Sequence, residues 1–233
     1  MMKKYVWMLA AILFGGMGLL TSCTANDDNP TEEELFEQEM TAAMADAQTY
    51  GPQTDAFARE VAKRFNGCVT DINYKTRESA TRKCKTDNSR PYDLKDLART
   101  TIIAGWDSTE IKPVIDYLVK TSTERGFFGR YKHQTSDYGY WGDLINLAFK
   151  YLQTEIQVKS YRMFYAANPE DVCRPVLGDS IYNVIYTETG VEPGRSHYYY
   201  EIIRSDTASE ATREHYRQLS IEYYSHFDPD YAE

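Results

Sequence analysis

The chain has 233 residues, 26 of them Lys or Arg against 35 Asp or Glu, and a formal net charge of −9. That acidic balance argues against a nucleic-acid duplex as partner, because neutralising phosphates requires a broad basic surface. The length suits one domain with a sizeable core, and no recurring period suggests a solenoid.

Lys3 and Lys4 precede an uncharged run from Tyr5 to Leu20, and small residues then lead into Cys23. This is the layout of a secretory signal. At about 16 residues the apolar run is shorter than the ~20 of a spanning helix, so residues 1–22 are expected to be cleaved rather than to cross a membrane. The form "LTSC" resembles the bacterial lipobox, whose cysteine becomes the lipidated first residue. The resemblance implies an exported lipoprotein on the periplasmic face of the envelope or the outer-membrane surface. Acyl chains on Cys23 would hold it, at ~0.8 kcal/mol per buried methylene. Residues 23–33 then read as an acidic tether with nothing to bury. An acidic run in that place also resembles the export signals of some Bacteroidota-like surface lipoproteins.

The remaining residues, 34–233, are read as one domain. From Glu32 to about Tyr50, Leu35, Phe36, Met40, Ala43, Met44 and Ala47 recur at helical spacing. Gly51-Pro52 is expected to break this helix, with a second helix from Thr54 to Phe65 closed by Asn66-Gly67. "CVTDINYK" alternates as a strand, "RESATRKCK" reads as a short helix with a basic face, and "ARTTIIAG" is a β-branched buried strand. Asp107-Ser108 caps a helix whose Ile111, Ile115, Leu118 and Val119 face inward. "FFGRYKHQ", "INLAFKYL" and "TEIQVKS" are three further strands, and the tyrosine-rich remainder is helical. Strands flanked by helices on both sides of the sequence indicate a sheet with helical cover, α/β or α+β.

With Cys23 lipidated, Cys68, Cys84 and Cys173 remain, an odd number for an oxidising compartment. One disulfide and one buried thiol are expected. The strand at Cys68 and the helix ending near Cys84 run as a return pair, which favours a Cys68–Cys84 bridge if the Cα atoms come within ~7 Å. Closing such a loop of about 15 residues would contribute ~3 kcal/mol. No CxxC or HExxH occurs, so a zinc site has little support.

Four blocks in order, "INYKTRESATRKCK", "DLKDLARTTI", "DYGYWGDL" and "TEIQVKS", resemble the synthetase domain of the RelA/SpoT family over roughly Thr54 to Phe227. The resemblance implies an α+β fold, a mixed sheet flanked by helices of nucleotidyltransferase type, with extra helices at both ends. It also implies transfer of pyrophosphate from ATP to the 3′-hydroxyl of a guanosine or other nucleotide. The alternative is an inactive lipoprotein that uses the same fold as a binding module. The family's hydrolase half is absent from the sequence, since His133, His197, His215 and His226 form no His-Asp dyad. Asn73 stands where many members carry a basic residue, Trp141 replaces an arginine, and the histidine that usually closes the Gly-Tyr block is missing.

Pyrophosphoryl transfer leaves a protein mainly positioning and charge stabilisation to supply. By the resemblance, Asp96 before the "ARTTII" strand is the metal-binding aspartate, and Glu155 helps bind the metal or activate the acceptor hydroxyl. Two such carboxylates suit Mg2+. Lys75, Ser79, Arg82 and Lys83, with Arg77 and Arg99 added, would hold phosphates; Ser79, Arg82 and Lys83 share one helix face at spacings of three and four. Tyr140 matches the tyrosine on which the acceptor base stacks, worth ~1 to 3 kcal/mol. Each has a plainer reading as well. Asp96 would cap a turn, Glu155 would be an exposed strand residue, the basic run would be a solvated helix face, and Tyr140 would be packing. Lys159 and the Tyr198-Tyr199-Tyr200 run read as packing or surface.

If the lipobox reading holds, a radioactive fatty acid labels the wild-type chain in cells and not Cys23→Ala, which stays unprocessed in the inner membrane. Equal labelling of both would refute it.

Overall fold

The computed structural model describes residues 29–227. The signal segment, Cys23 and the first part of the tether lie outside them. The first helix, α1 (Glu32–Arg64), opens on a capping box: the Thr31 hydroxyl accepts from the Glu34 amide, and the Glu34 carboxylate accepts from the Thr31 amide at 2.7 Å. The break expected at Gly51-Pro52 does not occur, and α1 continues through the proline for 33 residues. An interior proline removes one backbone hydrogen bond and crowds the preceding turn, at about 3 kcal/mol. Burial on both sides of it offsets that cost. Met40, Ala43 and Ala47 enter a cluster with Leu94, Leu97 and Leu152, while Phe57, Ala58 and Val61 enter the main core. Gly51 is there for close approach, since a Cβ on it would lie 2.7 Å from the Tyr74 ring. The dipeptide marks a tight crossing over the chain's next segment, not a reversal.

That segment splits the single expected strand in two, β1 (Cys68–Val69) and β2 (Asn73–Tyr74), both antiparallel to β3 (Ala98–Ile103). Thr70 spans the gap, its amide donating to the Thr101 carbonyl and its hydroxyl accepting from the Thr101 amide, each at 3.0 Å. The basic helix α2 (Arg77–Asp87) follows, capped by Thr76 and ended by Asn88 in the left-handed region at φ 47°. As expected, Asp107 caps α3 (Ser108–Glu124), its side chain accepting from the Glu110 amide at 2.9 Å. The strands β4 (Phe128–Thr135), β5 (Trp141–Phe149) and β6 (Leu152–Lys159) form an antiparallel meander, and β6 lies parallel to β3. The spatial order is β1-β3-β6-β5-β4, with β2 also on β3. This is the mixed sheet with helical cover that the sequence implied. The tyrosine-rich remainder forms α4 (Tyr161–Ala167), α5 (Glu170–Thr189), α6 (Arg195–Ile203) and α7 (Glu210–Ser225).

Strand alternation gives the sheet two unlike faces. Ile102, Ile145, Ile156 and Val158 are fully buried and share the core with Phe57 and Val61 of α1 and with Ile111 and Leu118 of α3. The other face is polar, carrying Arg99, Thr101, Asn146, Glu155, Gln157 and Lys159 in register. A slip of one residue would exchange the two sets, so the buried isoleucines hold the polar residues on their side.

The expected Cys68–Cys84 bridge is absent: both thiols are free. Cys68 pairs with Ile103 at the far end of β3, whereas Cys84 packs with Met40, Leu97 and Ala98 at its near end. The length of that strand lies between them, well beyond the ~7 Å a disulfide allows. Cys173 is buried, its Sγ donating to the Asn168 carbonyl at 3.0 Å.

Because Pro52 is an exposed interior residue of α1, Pro52→Ala should stabilise the domain by about 1–3 kcal/mol, by restoring the missing bond. Urea unfolding would register a higher midpoint at unchanged slope. A lower midpoint would show that the core requires the proline's local geometry.

Candidate functional site

The polar face acquires its chemistry from the short turn that feeds β3. Asp96 sits there, two residues before the strand, and its Oδ2 accepts from Lys75 Nζ and Lys83 Nζ, both at 3.0 Å. One lysine comes from the end of β2 and the other from α2, so the acid ties three successive segments together. Burial would raise the Asp96 carboxyl, but the adjacent Lys83 and Lys75 charges bring it below the usual carboxylate range. Its other oxygen, Oδ1, is buried with no hydrogen-bond partner among the described residues.

Glu155 lies directly opposite Arg99 in the parallel β3–β6 register and opposite Asn146 in the antiparallel one. Its residue exposure is 6%, which removes the reading of an exposed strand position. Burial pushes its carboxyl up, and the nearby Asp96 charge adds to that. Gln157 opposes the shift, donating to Oε1 at 3.0 Å, as do the Arg99 and Lys83 charges. Asn146, fully buried, accepts from Arg130 Nε at 2.8 Å. The row Arg99–Glu155–Asn146–Arg130 thus crosses four strands on one face.

Beside this row a cavity of about 570 Å³ runs toward the other end of β6. Arg99, Thr101, Gln157 and Lys159 are its sheet side, and Tyr140, Tyr200 and Tyr224 stand opposite. The turn before β5 holds Tyr140 by its amide, which donates to Ser136 Oγ at 3.0 Å, and its ring meets that of Tyr224 edge-on with centroids 6.1 Å apart. A Cβ on Gly142 would come within 2.7 Å of the Tyr140 hydroxyl. Burial, followed by the Glu155 charge, pushes that hydroxyl up to about 12.

The structure divides the predicted phosphate-binding residues. Lys75, Lys83 and Arg99 face the polar row. Arg77 is engaged with α1, its guanidinium donating to Glu37 and to the Thr41 hydroxyl, both at 2.6 Å. Arg82 turns outward, onto a shallow groove shared with Arg77 and Lys85. Ser79 gives its amide to the Thr76 cap. The expected grip by Ser79, Arg82 and Lys83 on one face is therefore split, because Lys83 is drawn inward by Asp96 while Arg82 remains in solvent. Asn73 stands on the cavity rim and Trp141 is buried in the core.

Sequence reasoning missed Lys159. It is a cavity-lining side chain with 8% residue exposure, and its Nζ lies 5.4 Å from the Tyr140 ring centroid. Burial, followed by the Arg99 charge, brings its ammonium down to about 8, against the pull of Glu155. The signal was present in "EIQVK", whose alternation puts Glu155, Gln157 and Lys159 on one face. Tyr138 and Tyr200 also line the cavity, with ring centroids 5.8 Å apart.

Among the described residues no group of three His, Cys, Asp or Glu side chains gathers to hold a metal. Magnesium needs only one or two carboxylates. The unpartnered Asp96 Oδ1 and the raised Glu155 carboxyl are what a divalent cation would relieve, so the donor set fits that ion.

No protein-family model matches the chain. The (p)ppApp synthetase toxin Tas1 of Pseudomonas aeruginosa (strain UCBPP-PA14) is 33% identical over 152 residues, 64% of this chain. The match covers 33% of that protein, so the chain spans about a third of the curated relative's length. The crystal structure of the Type VI effector Tas1 with its immunity protein superimposes with a TM-score of 0.66 at 28% identity, covering 82% of this chain and 97% of that one. The small alarmone synthetase 1 of Bacillus subtilis, bound to its product pppGpp, shares the fold: TM-score 0.51 and 13% identity over 83% of this chain and 94% of that one.

A buried carboxylate with a raised folded-state pKa destabilises the fold as pH rises through that value. Glu155→Gln removes the charge and keeps the shape. Its melting temperature should exceed that of wild type at pH 7, and the gain should shrink toward pH 4, where the wild-type carboxyl is also protonated. A variant less stable than wild type at pH 7 would mark Glu155 as a structural ion pair instead.

Proposed function

We propose that the chain, which carries a RelA/SpoT-like synthetase domain, transfers pyrophosphate from ATP to a hydroxyl of a second nucleotide. The observation that carries this reading is the Glu155–Arg99 row, set between the Asp96–Lys75–Lys83 cluster and a polar cavity with aromatic walls. In the reaction the acceptor hydroxyl oxygen forms a bond to the β-phosphorus of ATP, and the bond from that phosphorus to the oxygen bridging it to the α-phosphorus breaks. AMP leaves, and the hydroxyl proton passes to a base. Glu155 suits the last role, because its raised carboxyl lies nearer to neutral pH than an ordinary one. Lys75 and Lys83 supply positive charge for the transferring phosphates. Tyr140 offers a ring face to the acceptor base. Asp96 and Glu155 would hold Mg2+, which when bound neutralises phosphate charge.

Export as a lipoprotein through Cys23 belongs to this proposal too. A nucleotide enzyme with that address is consistent with a domain that acts after delivery to a compartment containing ATP. A binding-only module is the second reading, favoured by the two lysines that already hold Asp96 Oδ2.

The decisive experiment incubates purified domain with ATP, magnesium and individual nucleoside di- and triphosphates, and measures AMP release. Asp96→Asn should abolish magnesium-dependent nucleotide binding. Glu155→Gln should bind nucleotide as wild type does and lose ~10²–10³ in kcat, the usual effect of removing one transition-state charge interaction. Wild type that binds nucleotide but never releases AMP would leave the binding-only reading standing.

A further inference from the structure

Buried charges are ordinarily paired, because an ion removed from water without a counter-charge is costly. Lys159 breaks that rule. Its residue exposure is 8%, it lines the cavity of about 570 Å³, and it makes no ion pair among the described residues. The Tyr140 ring, with its centroid 5.4 Å from Nζ, is a weak substitute for a carboxylate. Arg99 compounds the problem. It lines the same cavity, likewise makes no ion pair among the described residues, and is close enough to repel the Lys159 charge. Glu155 attracts both groups but is itself held by Gln157 at the border of the row. Two cations thus converge on a space with tyrosines in its lining, and the one carboxylate among its lining residues, Asp71, is solvent-exposed and bound to Arg59 at 3.0 Å.

We infer that Arg99 and Lys159 form an internal anion clamp, and that its ligand is the 5′-phosphate group of the acceptor nucleotide. The assignment to the acceptor rests on the transfer reading above. Asp96, Lys75 and Lys83 gather at the end of β3 where the strand begins, whereas the cavity opens beyond Thr101 and Gln157 toward the other end. The two sets of cations therefore serve two different polyphosphates, with Glu155 between them. Within the cavity, Tyr140, Tyr200 and Tyr224 supply the surface for a base, and the lysine and arginine supply the charge for its phosphate. A single ion would be a poor reader of base identity here. An ammonium over a tyrosine ring responds to charge, and every nucleotide base offers it only a neutral acceptor.

The test is equilibrium binding by calorimetry, without donor or magnesium, of a free nucleoside and its mono-, di- and triphosphates to wild type, Lys159→Met and Lys159→Arg. Methionine fills the buried volume without charge, and thermal melts confirm that the variant is folded. Wild type should bind the phosphorylated forms more tightly than the nucleoside. Lys159→Met should lose ~10- to 100-fold toward the phosphorylated forms, the range of one charge-assisted hydrogen bond, and nothing toward the nucleoside. Lys159→Arg should retain the preference. A pH series adds a readout that packing alone would not move. With the Lys159 ammonium near 8 in the free protein, wild-type affinity for phosphate should decline above that pH, while that of Lys159→Arg persists. Of the other groups acting on Lys159, Cys173 and the nearby Tyr140 are both pushed up to about 12, and Glu155 and Arg99 exert opposite pulls; Lys159→Arg retains all four, so a decline confined to wild type belongs to the lysine. Equal losses for nucleoside and nucleotides in Lys159→Met would overturn the clamp. The two readings fail separately. Phosphate-dependent binding without AMP release defeats the transfer reaction and leaves the clamp. AMP release by wild type, together with equal losses for nucleoside and nucleotides in Lys159→Met, defeats the clamp and leaves the reaction.

Discussion

The parallel pairing of β3 with β6 is the constraint on which the site depends. It sets Arg99 beside Glu155 and Thr101 beside Gln157, and it holds Ile102 and Val158 together on the reverse face. The polar row is precise because the apolar row behind it cannot move: those residues are fully buried under α1 and α3. Parallel neighbours need a long connection, and here α3 and the β4–β5 hairpin fill it. The connection contributes Tyr140 and Asn146, so the chain that brings the two strands together also supplies part of the site between them.

Charge is distributed along this frame in a way that a stable, ligand-free protein would not choose. Glu155 is buried with a raised carboxyl, and Lys159 is buried with a lowered ammonium. Asp96 has one oxygen held by two lysines and the other without a hydrogen-bond partner among the described residues. Each arrangement costs stability in isolation, and each is a recognised mark of a site that binds charged groups. The surface ion pairs elsewhere, such as Lys112 with Asp116, are exposed and contribute little. The sheet core therefore supports the energetic cost of the polar face.

Much of this was legible in the sequence wherever a local rule governs. The β-branched run of β3, the Asp107 cap and the alternation of β6 depend on near neighbours, and the structure agrees with all three. Gly51-Pro52 misled because the usual meaning of a proline is local, whereas its tolerance in α1 derives from cores at both ends of the helix. Cys68 and Cys84 misled for the opposite reason. They are close along the chain, but β3 separates the two ends of the sheet at which they sit. Lys159 was passed over because a lone lysine at a strand end usually reaches solvent. The helices that prevent this, α4 to α7, begin beyond it and carry almost no periodic signal pointing back to the strand.

The turn that presents Tyr140 is held from a distance. Gly139 adopts φ +87° and packs against α7, where a Cβ would come within 3.1 Å of Tyr224, and Ser220 donates to the Tyr138 carbonyl at 2.8 Å. The aromatic wall of the cavity is thus clasped by residues about eighty positions later in the chain. During synthesis on a ribosome the sheet and its acidic and basic groups emerge well before α7 does. A nascent chain would therefore expose a complete charged row with a loose aromatic wall, and the cavity would acquire its final shape only once α7 had emerged and docked.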